Sequence, residues 1–513
     1  MATRLLYRSG AVLGAAGVVL LSLGIVGRGD ARPEVLVGNY PVNRSALDPG
    51  DLGAHNSPTV VQNPRDPSNL VVVNRVDRPD FGCAVHTSSD GGRTFEPSAL
   101  PVPEGEKCFA PDAAFGSDGY LHVVFVTLEG FANVPAAVWL TRSSDGGLTF
   151  EPARRVLGPL SFQVRIAVAP DDPKRLYLTW LAAGDVAILA FPEPGYPLML
   201  SRSGDGGLTW SEPVRLSAPG RQRVVAPAPL ALSSGEVVVA YLDLGDDRLD
   251  YHGGHQGADG PPYHGTWQLV VARSTDAGRS FTQTIAEDAL VPSERFIPFL
   301  PPFPAIAAGV GDDLYVAFHD GRTGDADVYL WSSRDRGVTF EEPVRVNDTP
   351  MRDGSTQRLP KVAVASDGRV DVVYYDQRAH PGADLTEVSL QQSFDGGRSF
   401  GRRLAVSDRA FPARVGPGLE DAIPDLGSRI GLLSSPGRVL VAWADTRAGS
   451  QVSGKQDIVR AVVRMTGSPP LPSSVLRGLQ GVGLLLLGGA LVATALARRR
   501  RIAEPSTQDA AST

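Results

Sequence analysis

The chain of 513 residues holds only two cysteines, Cys83 and Cys108. With no paired cysteines and no HExxH, no zinc pattern is present. The GxSxG, P-loop and dinucleotide fingerprints are missing too. Charge is sparse, at 20% of residues, and the net charge is −7. The terminal segments carry nine arginines and three acidic residues, so the middle stands at −13. An acidic body of this kind argues against a nucleic-acid partner, which needs a basic face.

What is abundant is glycine (57) and proline (42), as suits many short strands and turns. Long apolar runs occur only at the two ends. Arg4 and Arg8 precede a stretch from Ser9 to Val26, which reads as a signal peptide or an uncleaved anchor within residues 1–32. Gly29-Asp30-Ala31 is a weak small-residue cleavage site. Near the other end a helix over 475–497 is long enough to span a bilayer. Arg498 to Arg501 follow it, so the positive-inside rule puts the tail, 498–513, in the cytoplasm. Both ends then point inward. The expectation is a plasma-membrane protein, anchored by the C-terminal helix and, if uncleaved, the N-terminal one, with its body extracytoplasmic. Residues 466–474, with Pro469, Pro470 and Pro472, read as a semi-rigid stalk. In an exported chain Cys83 and Cys108 form either a disulfide or two buried thiols.

Between the ends an octapeptide recurs six times: Ser-x-Asp-x-Gly-x-Thr/Ser-aromatic. Its acidic positions are Asp90, Asp145, Asp205, Asp276, Asp335 and Asp395, spaced by 55, 60, 71, 59 and 60 residues. A fixed period of this length signals a repeat architecture. The Asp suits a tight turn by accepting backbone amides, the Gly admits φ > 0, and the aromatic opens the next strand. These aspartates therefore read as folding residues, not catalytic acids.

The pattern resembles the Asp-box, or BNR, repeat of the sialidase superfamily of β-propellers, over about residues 33–465. The resemblance implies an all-β propeller with the box between the third and fourth strands of each blade, opposite the binding face. Seven hairpins of β-rich runs accompany six boxes, among them Thr59–Gln62 with Leu70–Asn74 and Lys361–Ala365 with Arg369–Tyr375. Links such as Asp66-Pro67-Ser68-Asn69 read as turns. Seven blades of roughly 62 residues fit the box spacing; the six blades usual for sialidases are the alternative. The last blade needs a fourth strand, and Glu34–Asn39 is expected to supply it beside Asp457–Arg464.

Long insertions, Ala182–Pro197, Asp243–Thr266, Glu287–Pro304 and Asp408–Ser428, all map to the face away from the boxes. Three blades repeat Asp-x-Arg there: Asp320 with Arg322, Asp376 with Arg378, and Asp445 with Arg447. These form either an anion-binding ring or pairs that pin each loop within its blade. The second loop holds Asp246, Asp247, Asp250, His252, His255 and His264, with His319 and His380 on the same face. No metal is assigned; calcium would suit the aspartates, and a hydrated loop is the other reading. Sialidases hold a carboxylate with three arginines and attack with a Tyr assisted by a Glu. By that resemblance Tyr374, Tyr375 and Glu294 are catalytic candidates, and Arg322, Arg378 and Arg447 are anion contacts. The family's Arg-Ile-Pro motif is missing ahead of the first box. Two functions follow: a sialidase-like glycan binder or exo-glycosidase, or a non-catalytic propeller that binds a protein partner in envelope assembly.

Overall fold

The structure, a computed structural model, describes residues 11–20, 32–47, 51–130, 133–184, 195–247, 263–293, 301–379, 381, 384–416, 426–466 and 473–503. It divides into two units, Glu34–Arg464 and the two terminal segments together. The first unit is a seven-bladed β-propeller.

Strand β1 (Arg32–Pro41) belongs to the last blade, as described below. Blade one is β2 (His55–Asn63), β3 (Asp66–Val76), β4 (Gly82–Ser88) and β5 (Glu96–Ser98). Blade two is β6 (Lys107–Phe115), β7 (Leu121–Glu129), β8 (Val134–Ser143) and β9 (Arg154–Leu157). Blade three is β10 (Ser161–Val168), β11 (Leu176–Ala182), β12 (Leu198–Ser203) and β13 (Val214–Arg215). Blade four is β14 (Val224–Ala231), β15 (Val237–Asp243), β16 (Trp267–Ser274) and β17 (Thr282–Leu290). Blade five is β18 (Ala305–Ala308), β19 (Leu314–Asp320), β20 (Asp327–Ser333) and β21 (Val344–Arg345). Blade six is β22 (Gln357–Val364), β23 (Val370–Asp376), β24 (Leu385–Ser393) and β25 (Leu404–Ala405), with β26 (Phe411–Pro412) also on β24. Blade seven is β27 (Gly431–Ser435), β28 (Arg438–Asp445) and β29 (Asp457–Thr466), completed by β1.

The expected closing strand is thus found beside its expected partner. Val42 N donates to Ile458 O at 2.7 Å where the two strands meet. Closing the ring this way leaves no exposed edge between the chain's two ends.

Second strands read as unbroken apolar runs because a blade packs on each of their faces. Strands β15, β19 and β23 are buried at every residue. The core is accordingly seven clusters, one per blade interface. Each octapeptide aromatic enters the cluster shared with the preceding blade: Phe95, Phe150, Trp210, Phe281, Phe340 and Phe400. The interface between blades six and seven has no such aromatic, since blade seven lacks the octapeptide. Phe411, Trp443 and Val35 of the closing strand fill it instead. Burying one large apolar side chain contributes about 1.5–3 kcal/mol.

All six octapeptides connect third to fourth strands. In the second, Asp145 Oδ1 accepts the amides of Leu148 (3.1 Å) and Thr149 (3.0 Å). Ser143 Oγ donates to the same carboxylate (2.7 Å) and accepts Gly147 N (2.8 Å). In the third, the Thr209 hydroxyl and then its amide hold Asp205 down to about 2. The turns also join blades. Asn69 of blade one donates to Gly146 O of blade two at 2.9 Å, and Arg438 of blade seven donates to Gly91 O of blade one.

Two expectations are corrected. Asp66-Pro67-Ser68-Asn69 is the start of β3, and the turn lies before it at Pro64-Arg65. First strands also begin earlier than expected, because a β-bulge recurs in blades one, two, three, four and six. At each bulge one residue has positive φ: Ser57 (54°), Ala110 (47°), Gln163 (55°), Ala226 (60°) and Leu359 (49°). Proline follows in four of them. A first strand is an edge strand facing the channel, so a missing N–H there removes no ladder bond.

In the second unit, α1 (Ala11–Leu20) and α2 (Ser473–Ala503) are helical. Residues Gln480–Arg499 of α2 are long and apolar enough to cross a membrane. The expected stalk lies outside the described residues, apart from its first and last residues.

Candidate functional site

The connections bearing the long insertions, and both cysteines, lie at the end of the blades away from the octapeptides. Cys83 and Cys108 form a disulfide between blades one and two. Most of the inserted residues themselves, including Glu294, Asp250, His252 and His255, and also His380, fall outside the described residues.

In each of the three Asp-x-Arg pairs the arginine is held by its own aspartate and by a second acid outside its loop. Arg322 donates to Asp320 (Nε, 2.8 Å) and Glu287 (2.5 Å). Arg378 donates to Asp376 (2.6 Å) and to the Tyr374 hydroxyl (3.1 Å), and pairs with Asp348. Arg447 donates to Asp445 (2.8 Å), Asp408 (2.6 Å) and Asn39 of the closing strand (3.1 Å). In each case the Asp also caps the arginine's own amide. The aspartates are buried, so each loop is pinned by a charge-assisted fork.

Tyr374 and Tyr375 are buried on β23. Tyr374 donates to Gln391 at 2.6 Å; Tyr375 crosses to blade seven, donating to Ala444 O (3.2 Å) and accepting Ala444 N (3.0 Å). Burial raises both phenols far above their ordinary value. His319 is buried and stacked on Phe318 at 4.3 Å. Asp247 accepts Trp267 Nε1 (3.0 Å) and Asp246 accepts the Tyr263 hydroxyl (3.0 Å). Among the described residues no three His, Cys, Asp or Glu side chains gather to hold a metal.

A different cluster converges where the first strands meet. Asp112 of blade two accepts Thr59 Oγ1 of blade one (3.0 Å) and Ile166 N of blade three (3.1 Å). Arg165 Nε lies 3.2 Å from Asp112 Oδ2, misaligned for a hydrogen bond. The Arg165 guanidinium stacks over Phe303 at 5.1 Å, and its Nη1 has no partner among the described residues. Arg429, entering blade seven, donates to Thr59 Oγ1 (2.8 Å) and Pro111 O (2.5 Å). Arg75, 2% exposed, stands over Phe109 at 5.2 Å with Nε 2.6 Å from Asp77, and its Nη2 is unpartnered among the described residues. Lys361 of blade six makes no hydrogen bond or ion pair with the described residues.

Among the described residues positive charge exceeds negative in this cluster: Arg75, Arg165, Lys361 and Arg429 stand beside Asp77 and Asp112. Burial first, and then Arg165, lower Lys361 to about 8 and Arg429 to about 9, against the pull of Asp112. Lys361 is half-buried. A cavity of about 30 Å³ adjoins the cluster, lined by Ser57, Arg75, Phe109, Gln163, Phe303 and Arg429 among others. That space suits one or two waters or a single carboxylate group, not a sugar ring.

None of these residues was singled out from the sequence. The available signal was the recurring proline, since Pro58, Pro111 and Pro360 directly precede Thr59, Asp112 and Lys361.

The unit Glu34–Arg464 is a seven-bladed β-propeller, with its octapeptide turns between third and fourth strands. No protein-family profile matches the sequence, and no curated protein matches it significantly. Solved structures do. The GH93 α-L-arabinofuranosidase of Fusarium graminearum, in complex with arabinobiose, is 14% identical over 72% of this chain and 96% of that one, with a TM-score of 0.42. A Hadza microbial sialidase is 16% identical over 82% and 68%, with a TM-score of 0.41. The leech intramolecular trans-sialidase is 13% identical over 86% and 71%, with a TM-score of 0.39. At such identities the likeness concerns the fold alone.

Proposed function

We propose that this is a membrane-anchored, extracytoplasmic propeller that binds an acidic glycan by inserting its carboxylate among Arg75, Arg165, Lys361 and Arg429. The observation that carries this reading is the surplus of cationic donors, Arg75 buried and the other three half-buried, two of them with nitrogens unpartnered among the described residues, below the insertion-bearing face. Unpaired buried donors are costly, and an oxyanion relieves both the hydrogen-bond deficit and the like-charge repulsion. Guanidinium groups also match a carboxylate bidentately. The resemblance of the octapeptides to sialidase repeats favours a sugar as the carrier of that carboxylate. The span in α2 and the disulfide support exposure outside the cytoplasm.

Binding, rather than hydrolysis, is the activity these residues support. Tyr374 and Tyr375 have their hydroxyls committed within the core, and the rim arginines are occupied by their own aspartates. The test is calorimetry of the detergent-solubilised chain with sialic acid, galacturonate and galactose. Binding of an acid but not of galactose supports the proposal. Silence toward every acid overturns it and favours a protein partner on the same face. Release of a fluorophore from a fluorogenic sialoside would instead establish an exo-glycosidase.

A further inference from the structure

Helices α1 and α2 belong to one unit and touch. A Cβ placed on Gly14 would lie 3.6 Å from Ala490 Cβ, and one on Gly489 would lie 3.8 Å from Leu13 Cδ1. At Gly17 the approach is tighter: a Cβ there would fall 2.8 Å from Gly483 O and 2.9 Å from Leu487 Cγ. Positions rise along one helix as they fall along the other, so the two run antiparallel.

We infer that the N-terminal segment is retained, and that it forms with α2 a two-helix transmembrane hairpin whose closest crossing is Gly17 on Gly483. Lipid gives no hydrophobic drive for helix pairing, so small residues that let backbones approach are the usual device. Helix α1 lies inside an apolar stretch of sequence, Ser9 to Val26, whose eighteen residues fall within the range a membrane span needs. Charge agrees independently. Arg4 and Arg8 precede α1 and Arg498 to Arg501 follow α2, so antiparallel packing puts both basic groups on one side of the bilayer. A cleaved signal peptide would need none of these agreements.

The inference rests on α2 spanning a membrane, and the experiment separates the two claims. The full chain is expressed with different epitope tags at its two ends, in a host with a secretory pathway. Both tags on one full-length band in the membrane fraction are expected. A mature N-terminus found between residues 27 and 32 overturns the inference while leaving the α2 anchor standing. A full-length chain in the soluble fraction overturns the anchor itself, and the hairpin with it. Pairing is read from the double variant Gly14→Cys/Ala490→Cys, whose Cβ separation lies within the range of about 3.5–4.5 Å that disulfides use. Oxidation should give a mobility shift without reductant and a cross-linked peptide by mass spectrometry. The control is Gly14→Cys/Leu491→Cys, since Leu491 is exposed. Equal cross-linking in the two, or none in either, overturns the pairing.

Discussion

Gly207, in the third octapeptide, lies so close to Leu140 of the preceding blade that a Cβ on it would sit 2.3 Å from Leu140 Cδ2. Its φ is +87°. The repeated glycine thus answers two demands, a left-handed turn and a flat contact across a blade interface. Gly92 against Leu440 and Gly397 against Leu330 do the same, each at 2.7 Å. Gly207→Ala combines left-handed strain of about 1–2 kcal/mol with overpacking of about 1–3 kcal/mol. A loss of roughly 2–5 kcal/mol is expected in thermal or denaturant unfolding of the solubilised chain. Gly204, in the same octapeptide, has open space around it. Gly204→Ala should stay within about 0.5 kcal/mol. Equal effects of the two would show that the interface contact does not matter.

Acid should destabilise the propeller well above the range where carboxylates titrate. Burial is the main cause holding His55 and His122 to about 4 and His86 and His319 to about 3. The unfolded chain takes up protons near the ordinary value of about 6.5, and the folded chain does not. Stability is therefore full above that value and is lost as pH falls from it toward the folded values. Each histidine contributes at most about 1.4 kcal/mol per pH unit within that window. The midpoint of urea unfolding is expected to fall steadily between pH 6.5 and 4.5. His86→Gln should flatten the slope, and a midpoint constant over that range would refute the assignment.

Local chemistry and long-range assembly were unequally legible in the sequence. The octapeptides could be read because eight consecutive residues contain the whole device: Asp145, its Ser143 donor and the amides it caps. The closing strand could be read because blade seven, counted out, lacked a fourth strand. The expected first strands start only after Pro58, Pro111 and Pro360, where a bulge interrupts the ladder, and only the ring geometry makes that edge harmless. The cation cluster was illegible for a related reason. It draws Arg75, Arg165, Lys361 and Arg429 from four blades spread over more than 350 residues. Asp320 and Arg322 had the opposite character: two residues apart, conspicuous, and bound to each other.

Tyr375 should act as a tie between blades six and seven. Its hydroxyl both donates to and accepts from the backbone of Ala444. Tyr375→Phe leaves that buried amide and carbonyl without this partner, at roughly 1–3 kcal/mol. Tyr374→Phe frees Gln391 and one donor of Arg378, which keeps Asp376 and Asp348. A smaller loss, about 1 kcal/mol, is expected there. Unfolding in denaturant ranks the two. If a fluorogenic sialoside is cleaved and Tyr374→Phe abolishes cleavage without lowering stability, the residue is a nucleophile and not a strut.

The channel cluster makes the sharpest demand, because its charges do not balance. Among the described residues Asp112 is the one acid beside Arg165, Lys361 and Arg429. Asp112→Asn keeps the shape but removes the one compensating charge, and breaking a buried pair from one side costs about 3–5 kcal/mol. Added formate or acetate should restore part of that loss, since a small carboxylate can supply the missing charge; neutral formamide should not. Arg165→Gln removes a repelling charge as well as a donor, so its stability change should be slight. Its affinity for an acidic sugar should nonetheless fall about tenfold or more, which is about 1.4 kcal/mol. Lys361 adds a pH signature. With its ammonium lowered to about 8, it holds its charge below that value and loses it above. Affinity for an acid should therefore be flat below pH 7.5 and begin to decline near pH 8, and Lys361→Met should move the onset of the decline upward. An affinity unchanged up to pH 9 in the unaltered chain would mean that Lys361 does not meet the ligand.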